Sequence, residues 1–189
     1  MDSFFKEAIG SFKTSGTFKP SSRHLIRNCL KDIDFSTAKT ILEFGTGDGC
    51  FTRELSRKMS PRATLFSFEV NPAFHAYAAK KFKSHQNVTI LDHSALEFDQ
   101  VLRDHAVQQV DYVISSLPLS LFKKSDTKIL LYKVCQYLKK GGHFIQYQYS
   151  LSNYLQLRRA FNVIDIDLTL RNLPPAFVYT CSNKMEDRK

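Results

Sequence analysis

The 189-residue sequence has no apolar stretch long enough to span a bilayer, and its N-terminus lacks the apolar core of a signal peptide. Integral membrane proteins and secreted proteins are therefore disfavoured. No low-complexity linker or internal repeat divides the chain, and its length suits one domain with a full hydrophobic core. We expect a single-domain protein in the cytoplasm, either soluble or peripheral on a membrane.

Patterns of metal ligands are also missing. The four cysteines are scattered without a C-x-x-C pair, and the six histidines show no H-x-x-x-H spacing. Neither a zinc site nor a disulfide framework is indicated, so no metal is implied and the cysteines are interpreted as reduced thiols. Tryptophan is absent, which leaves the 16 phenylalanines and 8 tyrosines to form any aromatic binding surface.

Acidic residues are in deficit. The chain has 27 lysines and arginines against 18 aspartates and glutamates, which gives a formal net charge of +9. A partner of such a protein is expected to present an anionic surface. Nucleic acid and anionic lipid both satisfy this condition, and charge alone does not separate them.

From Thr40 onward, apolar runs typical of strands alternate with helical patterns. This alternation is typical of right-handed βαβ units and predicts an α/β protein with a parallel sheet. The last two strands could form an antiparallel hairpin. The predicted strands are 40–44, 64–69, 87–91, 110–115, 143–149, 162–169 and 175–181, and the helices between them are 50–59, 72–83, 95–105, 125–139 and 151–160.

The segment 41–49 is the centre of this pattern, because an apolar strand there passes into three glycines at alternate positions and then into a helix. Glycines so spaced let the backbone turn sharply and approach a ligand closely, which predicts a site for a nucleoside-type cofactor. Cys50 stands where a dinucleotide fingerprint has its third glycine, so a pyrophosphate is disfavoured. Glu69 ends a second apolar run, and its carboxylate is suited to accept hydrogen bonds from ribose hydroxyls.

The order E-x-G-x-G-x-G from Glu43 resembles the first motif of class I S-adenosylmethionine-dependent methyltransferases. The resemblance implies a Rossmann-like fold with a seven-stranded, mostly parallel sheet and an antiparallel C-terminal hairpin. It also implies that Glu43 faces the ammonium end of the cofactor, and that Ser94 replaces an aspartate that usually reaches the adenine. The cofactor-binding residues so implied are Pro20, Ser21, Ser22, Glu43, Phe44, Gly45, Thr46, Gly47, Gly49, Phe51, Glu69, Val70, Asn71, Ser94, Ala95, Ser115 and Leu117.

The segment 113–119 lies where this class keeps its substrate motif. Adenine N6-methyltransferases have N/D-P-P-Y or N-L-P-Y there, so that a side-chain carbonyl binds the amine and an aromatic ring stacks on the base. In this sequence Ser116 and Leu119 occupy those two positions. An RNA adenine methyltransferase is therefore less favoured, despite the basic charge.

Four stretches resemble the bacterial phospholipid N-methyltransferases and their ornithine lipid relatives: P-S-S-R at 20–23, S-L-P-L at 116–119, G-G-H-F-I-Q-Y-Q-Y at 141–149 and R-N-L-P-P-A-F-V-Y at 171–179. The resemblance implies methylation of an aminolipid amine, with phosphatidylethanolamine going stepwise toward phosphatidylcholine as the leading hypothesis. Ornithine lipid is the close alternative. The implied catalytic residues are Tyr149 and Ser116, and the implied substrate contacts are Phe18, Pro118, Leu119, Tyr147, Arg171, Asn172 and Phe177.

The first segment predicts an amphipathic helix, because Phe4, Phe5, Ala8, Ile9 and Phe12 recur at helical spacing. Such a helix could hold the protein, as a monomer, on an anionic inner-membrane surface that carries its substrate. It could instead pack on the core of the domain, or serve a membrane-binding module that has lost catalysis. The chain is then divided into N-terminal and cofactor-covering helices at 1–39, a methyltransferase core at 40–181 and a flexible tail at 182–189.

Overall fold

The computed structural model of the protein describes residues 21–183. Two short 3-10 helices, Ala95–Glu97 and Leu119–Leu121, accompany the regular elements. In chain order these elements are α1 (Arg23–Cys29), β1 (Thr40–Phe44), α2 (Cys50–Lys58), β2 (Thr64–Phe68), α3 (Pro72–Phe82), β3 (Val88–Leu91), α4 (Phe98–Asp104), β4 (Val110–Ser115), α5 (Lys124–Tyr137), β5 (Leu138–Gln148), α6 (Tyr154–Ala160), β6 (Val163–Thr169) and β7 (Ala176–Ser182).

The strands form one sheet in the order β3-β2-β1-β4-β5-β7-β6. Strands β1 to β5 pair in parallel, whereas β7 is antiparallel to both β5 and β6. The chain moves outward from β1 to β3 and then crosses to β4 on the other side of β1, so the strand order reverses between β1 and β4. In open α/β sheets, ligands bind outside the carboxyl ends of the strands at such a switch point. We call the edge formed by the carboxyl ends of β1 to β5 the carboxyl edge.

Hydrophobic layers cover both faces of the sheet. Leu42 and Phe44 of β1 belong to one core with residues of α4, α5 and α6, while Ile41 belongs to the other with residues of α1 and α2. A strand buried on both faces reads as a nearly continuous apolar run, which is why the inner strands are recognisable in the sequence. Glu43 interrupts the run in β1, although only 1% of its surface is exposed.

Side-chain caps fix the beginnings of two helices that start at the carboxyl edge. Ser22 Oγ accepts a hydrogen bond from Leu25 N–H at the start of α1, which satisfies one of the backbone donors that a helix leaves unpaired there. Asn71 Oδ1 accepts from the first backbone N–H groups of α3, and Pro72 occupies the first turn, where its missing N–H costs nothing.

The predicted fold class is confirmed, and the predicted elements from Thr40 onward occur in the predicted order. Three of them differ in extent, and one of these, the helix predicted at 151–160, begins only at Tyr154. The helix predicted at 95–105 is divided into a 3-10 turn and α4, because Ser94 caps a separate turn. Strand β5 begins at Leu138 instead of 143 and runs through Gly141 and Gly142 as an irregularity in its pairing with β4.

The predicted amphipathic helix lies outside the described residues. None of the helices within residues 21–183 is long and apolar enough to cross a membrane.

Candidate active site

The loop after β1 bends over the carboxyl end of β2. Gly45, Gly47 and Gly49 have φ values of +88°, +56° and +74°, in the left-handed region that favours glycine. The N–H groups of Gly45 and Thr46 both donate to the carbonyl oxygen of Phe68, at 2.9 and 3.2 Å. The alternate glycines therefore shape one tight turn at the switch point.

Ser116 supports this loop from the end of β4. Its Oγ donates to the carbonyl oxygens of Gly45 at 2.8 Å and Phe44 at 3.2 Å. A Cβ at Gly45 would lie 2.5 Å from Ser116 Oγ, so glycine is required for space as well as for φ. Ser116 was predicted to be catalytic, but its hydroxyl hydrogen is engaged by the loop backbone. The contacts of this residue indicate a positioning role.

Glu69 lies under the glycine loop at the end of β2. Its Oε2 accepts from Gly47 N–H at 2.8 Å and its Oε1 accepts from Asn71 N–H at 2.9 Å. The two bonds fix the carboxylate next to the loop. A carboxylate has about four acceptor positions in all, which suits this side chain to bind several donors at once.

Glu43 lies deeper, on the same face of the sheet as α2. Its Oε2 accepts from Thr52 Oγ1 and Ser67 Oγ, each at 2.7 Å, whereas its Oε1 is buried without a hydrogen-bond partner. Burial raises the pKa of the Glu43 carboxyl from 4.5 to about 7, and the hydroxyl donors oppose the rise. An orphaned acceptor that titrates near neutrality is suited to a cationic ligand group.

Ser94 lies shortly after β3 and caps the 3-10 turn Ala95–Glu97. Its Oγ accepts from Leu96 N–H at 3.2 Å, and Ser94 N–H donates to Glu97 Oε2 at 3.3 Å, which completes a capping box. Ser94 is 3% exposed and Ala95 is 5% exposed. The serine keeps the hydrogen of its own hydroxyl for another acceptor, such as an adenine nitrogen.

Two tyrosines stand at the carboxyl end of β5. The Tyr147 ring stacks on Phe51 of α2, with centroids 5.7 Å apart and planes 13° apart, and it meets Tyr149 edge to face at 6.1 Å. Burial raises the pKa of both tyrosines above the ordinary value, that of Tyr147 the more strongly. Both hydroxyls therefore remain protonated at neutral pH. Tyr149, 42% exposed, lies one residue beyond the strand that was predicted to contain it.

Three segments that are far apart in sequence meet beside these tyrosines. Ser21 Oγ lies 3.2 Å from Tyr147 Oη, and Ser22 N–H donates to Asn172 Oδ1 at 3.0 Å. Asn172 is 7% exposed, and its Nδ2 donates to Pro174 O at 2.7 Å. The structure thus brings Ser21 and Ser22 together with the stretches Q-Y-Q-Y and R-N-L-P-P-A at one mouth.

The other predicted residues divide by burial. Val70, Leu117 and Leu119 pack in the hydrophobic core at 9%, 7% and 1% exposure, so Leu119 presents no open face to a substrate. Arg171 is exposed. The half-buried Phe177 is paired with Gln148 across the β5–β7 ladder. The half-buried Pro118 and the buried Ser115 lie where β4 ends, and Phe18 and Pro20 fall outside the described residues.

Several residues of the site were missed by the sequence reasoning. Thr52 and Ser67 hold Glu43, and Gln146 Nε2 ties β5 to Leu117 O at 3.0 Å. Gln148 is 6% exposed, and its Nε2 has no hydrogen-bond partner. The polar residues that interrupt an otherwise apolar strand at 146 and 148 were the available signal. Within residues 21–183, no group of three His, Cys, Asp or Glu side chains is placed to hold a metal ion.

Comparisons with known proteins agree with this geometry. The sequence matches the family described as "Methyltransferase domain" over residues 41–142. An ornithine lipid N-methyltransferase of Singulisphaera acidiphila is 28% identical over 183 residues, which cover 94% of this chain and 95% of that protein. A probable ribosomal RNA small subunit methyltransferase A of Methanosarcina acetivorans is 28% identical over 117 residues, 62% of this chain and 38% of that protein.

The fold also occurs in fibrillarin from Aeropyrum pernix, solved in complex with natively bound S-adenosyl-L-methionine. That structure has a TM-score of 0.56 and 17% identity, and the match covers 76% of this chain and 66% of fibrillarin. The family match spans more than half of the chain and contains the glycine loop, Glu43 and Glu69. The chain therefore belongs to the methyltransferase domain family and is a class I S-adenosylmethionine-dependent methyltransferase.

Proposed function

We propose that this protein transfers methyl groups from S-adenosylmethionine to the amine of an aminolipid headgroup. One observation carries the proposal, namely the meeting of Ser21 and Ser22, Tyr147 and Asn172 beside the glycine loop. These residues belong to the stretches that resemble aminolipid methyltransferases. The relative that covers almost all of this chain carries the name of such an enzyme.

The residues at the carboxyl edge fit the cofactor in charge and hydrogen bonding. S-adenosylmethionine supplies an electrophilic methyl group on a sulfonium centre. The unpartnered Oε1 of Glu43 would accept from its ammonium group, and the Glu69 carboxylate, held beside the glycine loop, would take the ribose hydroxyls. The hydroxyl of Ser94 would face the adenine.

The substrate amine has to reach the site neutral, because an alkylammonium with a pKa of about 10.4 has no lone pair. Tyr149 would orient this amine through its protonated hydroxyl, since its raised pKa makes it a poor base. The unpartnered Nε2 of Gln148 is suited to an acceptor oxygen of the headgroup. Alignment of nucleophile and methyl group can contribute up to about 7–11 kcal/mol in well-oriented systems.

A nucleobase fits this site less well than a lipid amine. Ser116 donates its hydroxyl hydrogen to the backbone of the glycine loop, and Leu119 is buried. Neither residue is placed to hold and stack an adenine. The site thus disfavours the RNA adenine methyltransferase hypothesis, whose remaining support is the basic charge and a relative that matches 62% of the chain.

Ornithine lipid ranks above phosphatidylethanolamine as the proposed substrate, which reverses the order of the sequence hypotheses. The reason is the relative named for ornithine lipid, which aligns over 94% of this chain. An ornithine headgroup presents a carboxylate in addition to its amine, whereas phosphatidylethanolamine presents a phosphate diester. The exposed Arg171 beside Asn172 suits either anion. The lipid whose amine accepts the methyl group therefore has to be identified by assay.

The test is to incubate the full chain with S-adenosylmethionine and separate detergent micelles of ornithine lipid or phosphatidylethanolamine, and in parallel with a ribosomal RNA transcript. Mass spectrometry of each substrate then counts the methyl groups gained. We expect ornithine lipid to gain one to three methyl groups. Gain on phosphatidylethanolamine alone would restore the earlier hypothesis.

Methylation of the transcript without any lipid product would contradict lipid specificity. Lipid binding without cofactor binding in calorimetry would instead identify a non-catalytic module.

A further inference from the structure

Exposed leucines are concentrated on two loops at the carboxyl edge, next to the mouth of the site. Leu170 and Leu173, in the β6–β7 loop, are 70% and 68% exposed, and Leu155 at the start of α6 is 66% exposed. Leu151, in the β5–α6 loop, is 50% exposed. We call these four residues the leucine edge.

Their exposure is unusual within this chain. Among residues 21–183, four large apolar side chains are more than 60% exposed, and three of them belong to the leucine edge. The fourth is Tyr132 on α5. Single exposed apolar side chains are normal on a soluble surface, but a cluster of them marks an interaction site.

A basic groove lies between α1 and α2, next to the leucine edge. It encloses about 700 Å³, and Ile26, Leu30, Ile33 and Phe35 contribute apolar walls. Six cationic side chains line it against the single acid Glu54: Arg23, Arg27, Lys31, Arg53, Arg57 and Lys58. Two of them are partly neutralised, because Lys31 pairs with Asp167 and Arg57 with Glu54.

The groove adjoins the leucine edge at the β6–β7 loop, because Asn28 Nδ2 of α1 donates to Thr169 Oγ1 at 2.8 Å, next to Leu170. Arg23 directly follows Ser22, whose N–H is bonded to Asn172 in the same loop as Leu170 and Leu173. Projecting aliphatic side chains with cations beside them match the two layers of a lipid surface, the apolar region and the phosphate layer. RNA would use the cations and the guanidinium planes of the groove, but it would leave the exposed leucines without a matching partner, because bases stack on aromatic or guanidinium planes.

We propose that the leucine edge and the basic groove dock this protein on an anionic bilayer, with the leucines entering the apolar boundary and the arginines meeting lipid phosphates. The inference rests on the proposed function, because an aminolipid reaches the site from a membrane surface. It differs from anchoring by the N-terminal helix, since every residue of this surface follows residue 21. The mouth of the site then faces the bilayer directly.

The experiment compares the full-length protein with L155S/L170S and with Tyr132→Ser as the matched exposed control. Association is measured by co-sedimentation with phosphatidylcholine vesicles that contain or lack phosphatidylglycerol. We expect the partition coefficient of L155S/L170S into anionic vesicles to fall about tenfold or more, and that of Tyr132→Ser to match the wild type. R23Q/R27Q should reduce binding to anionic vesicles toward the level on phosphatidylcholine alone.

Equal binding of L155S/L170S and wild type would overturn the proposal, and so would an equal loss in Tyr132→Ser. Binding of a structured RNA that R23Q/R27Q weakens, with vesicle association unchanged in L155S/L170S, would overturn it in favour of nucleic acid. Methylation of micellar ornithine lipid is measured on the same proteins and should be unchanged in L155S/L170S. If no variant methylates lipid but the vesicle result holds, the proposed function fails while the docking surface stands.

Discussion

Glu69 is the residue on which we expect cofactor binding to depend most, because its carboxylate fixes the glycine loop and is proposed to bind the ribose. Glu69→Gln replaces one acceptor oxygen by a donor and removes the charge. Hydrogen bonds to charged groups contribute about 1.5–3 kcal/mol, so we expect the dissociation constant for S-adenosylmethionine to rise about 10- to 150-fold. Calorimetric titration measures it, with the surface variant Glu54→Gln as control. Unchanged affinity in Glu69→Gln would contradict the assignment.

Glu43 should make cofactor binding depend on pH. Its pKa is raised to about 7 in the folded protein, so the protonated form predominates below that value. An ammonium ligand favours the carboxylate, and binding therefore releases a proton and tightens as pH rises from about 6 to about 8. Below pH 7 the dissociation constant should change by up to about tenfold per pH unit.

The same shift has the opposite effect on the free protein. The folded state holds a proton that the unfolded chain releases, so this group lowers stability as pH rises from 4.5 to about 7. Urea denaturation at several pH values measures this loss of stability. Calorimetric titration of the cofactor in buffers of different ionisation enthalpy measures the proton released on binding. Glu43→Gln should flatten both pH dependences, and a variant that kept the slope would show that another group is responsible.

Tyr149 is expected to act on the turnover rate rather than on cofactor affinity. Tyr149→Phe removes one hydroxyl without a change of shape, and the loss of an orienting hydrogen bond of about 1 kcal/mol should lower kcat about five- to tenfold. The KM for S-adenosylmethionine should stay the same, and Tyr132→Phe serves as the control. A higher KM with unchanged kcat would assign Tyr149 to binding instead.

Asn172 joins two elements, since its amide connects the start of α1 to the turn before β7. Asn172→Ala leaves the Ser22 N–H and the Pro174 carbonyl without this partner in a region where the side chain is 7% exposed. Unsatisfied buried groups cost about 1–3 kcal/mol each, and we expect a comparable loss in the free energy of unfolding. Urea denaturation measures it, with the exposed Asn162→Ala as reference. A loss below about 0.5 kcal/mol would indicate that the contact is ordinary surface structure.

The elements themselves were largely predictable because inner strands of a parallel sheet carry an unmistakable apolar pattern. Strand β5 was the exception, since it was predicted to begin at 143, after Gly141 and Gly142, and it begins at Leu138. A Cβ at Gly142 would lie 2.4 Å from the carbonyl oxygen of Asp111, so this glycine instead permits close contact with β4. That requirement depends on a neighbouring strand and cannot be read from local sequence.

The assembly of the site was predictable only in part, because it depends on the whole molecule. The E-x-G-x-G-x-G spacing and Glu69 located the cofactor loop by local pattern. The bond between Ser22 and Asn172 joins residues 150 positions apart, and the resemblance to a family indicated both segments without indicating their contact. The support of Glu43 by Thr52 and Ser67, and the burial of Leu119, depend on packing that no local pattern contains.

The net charge of +9 acts at the scale of the whole molecule and should make membrane association depend on salt. Added salt shortens the Debye length from about 10 Å at 0.1 M to about 3 Å at 1 M, and this screening weakens attraction to anionic vesicles. Burial of leucines is not screened, so a residual association should persist at high salt in the wild type and disappear in L155S/L170S. Co-sedimentation across a salt series measures both the electrostatic and the apolar contribution to membrane association. Binding that vanished equally in both proteins at high salt would show that charge alone holds the protein to the vesicle.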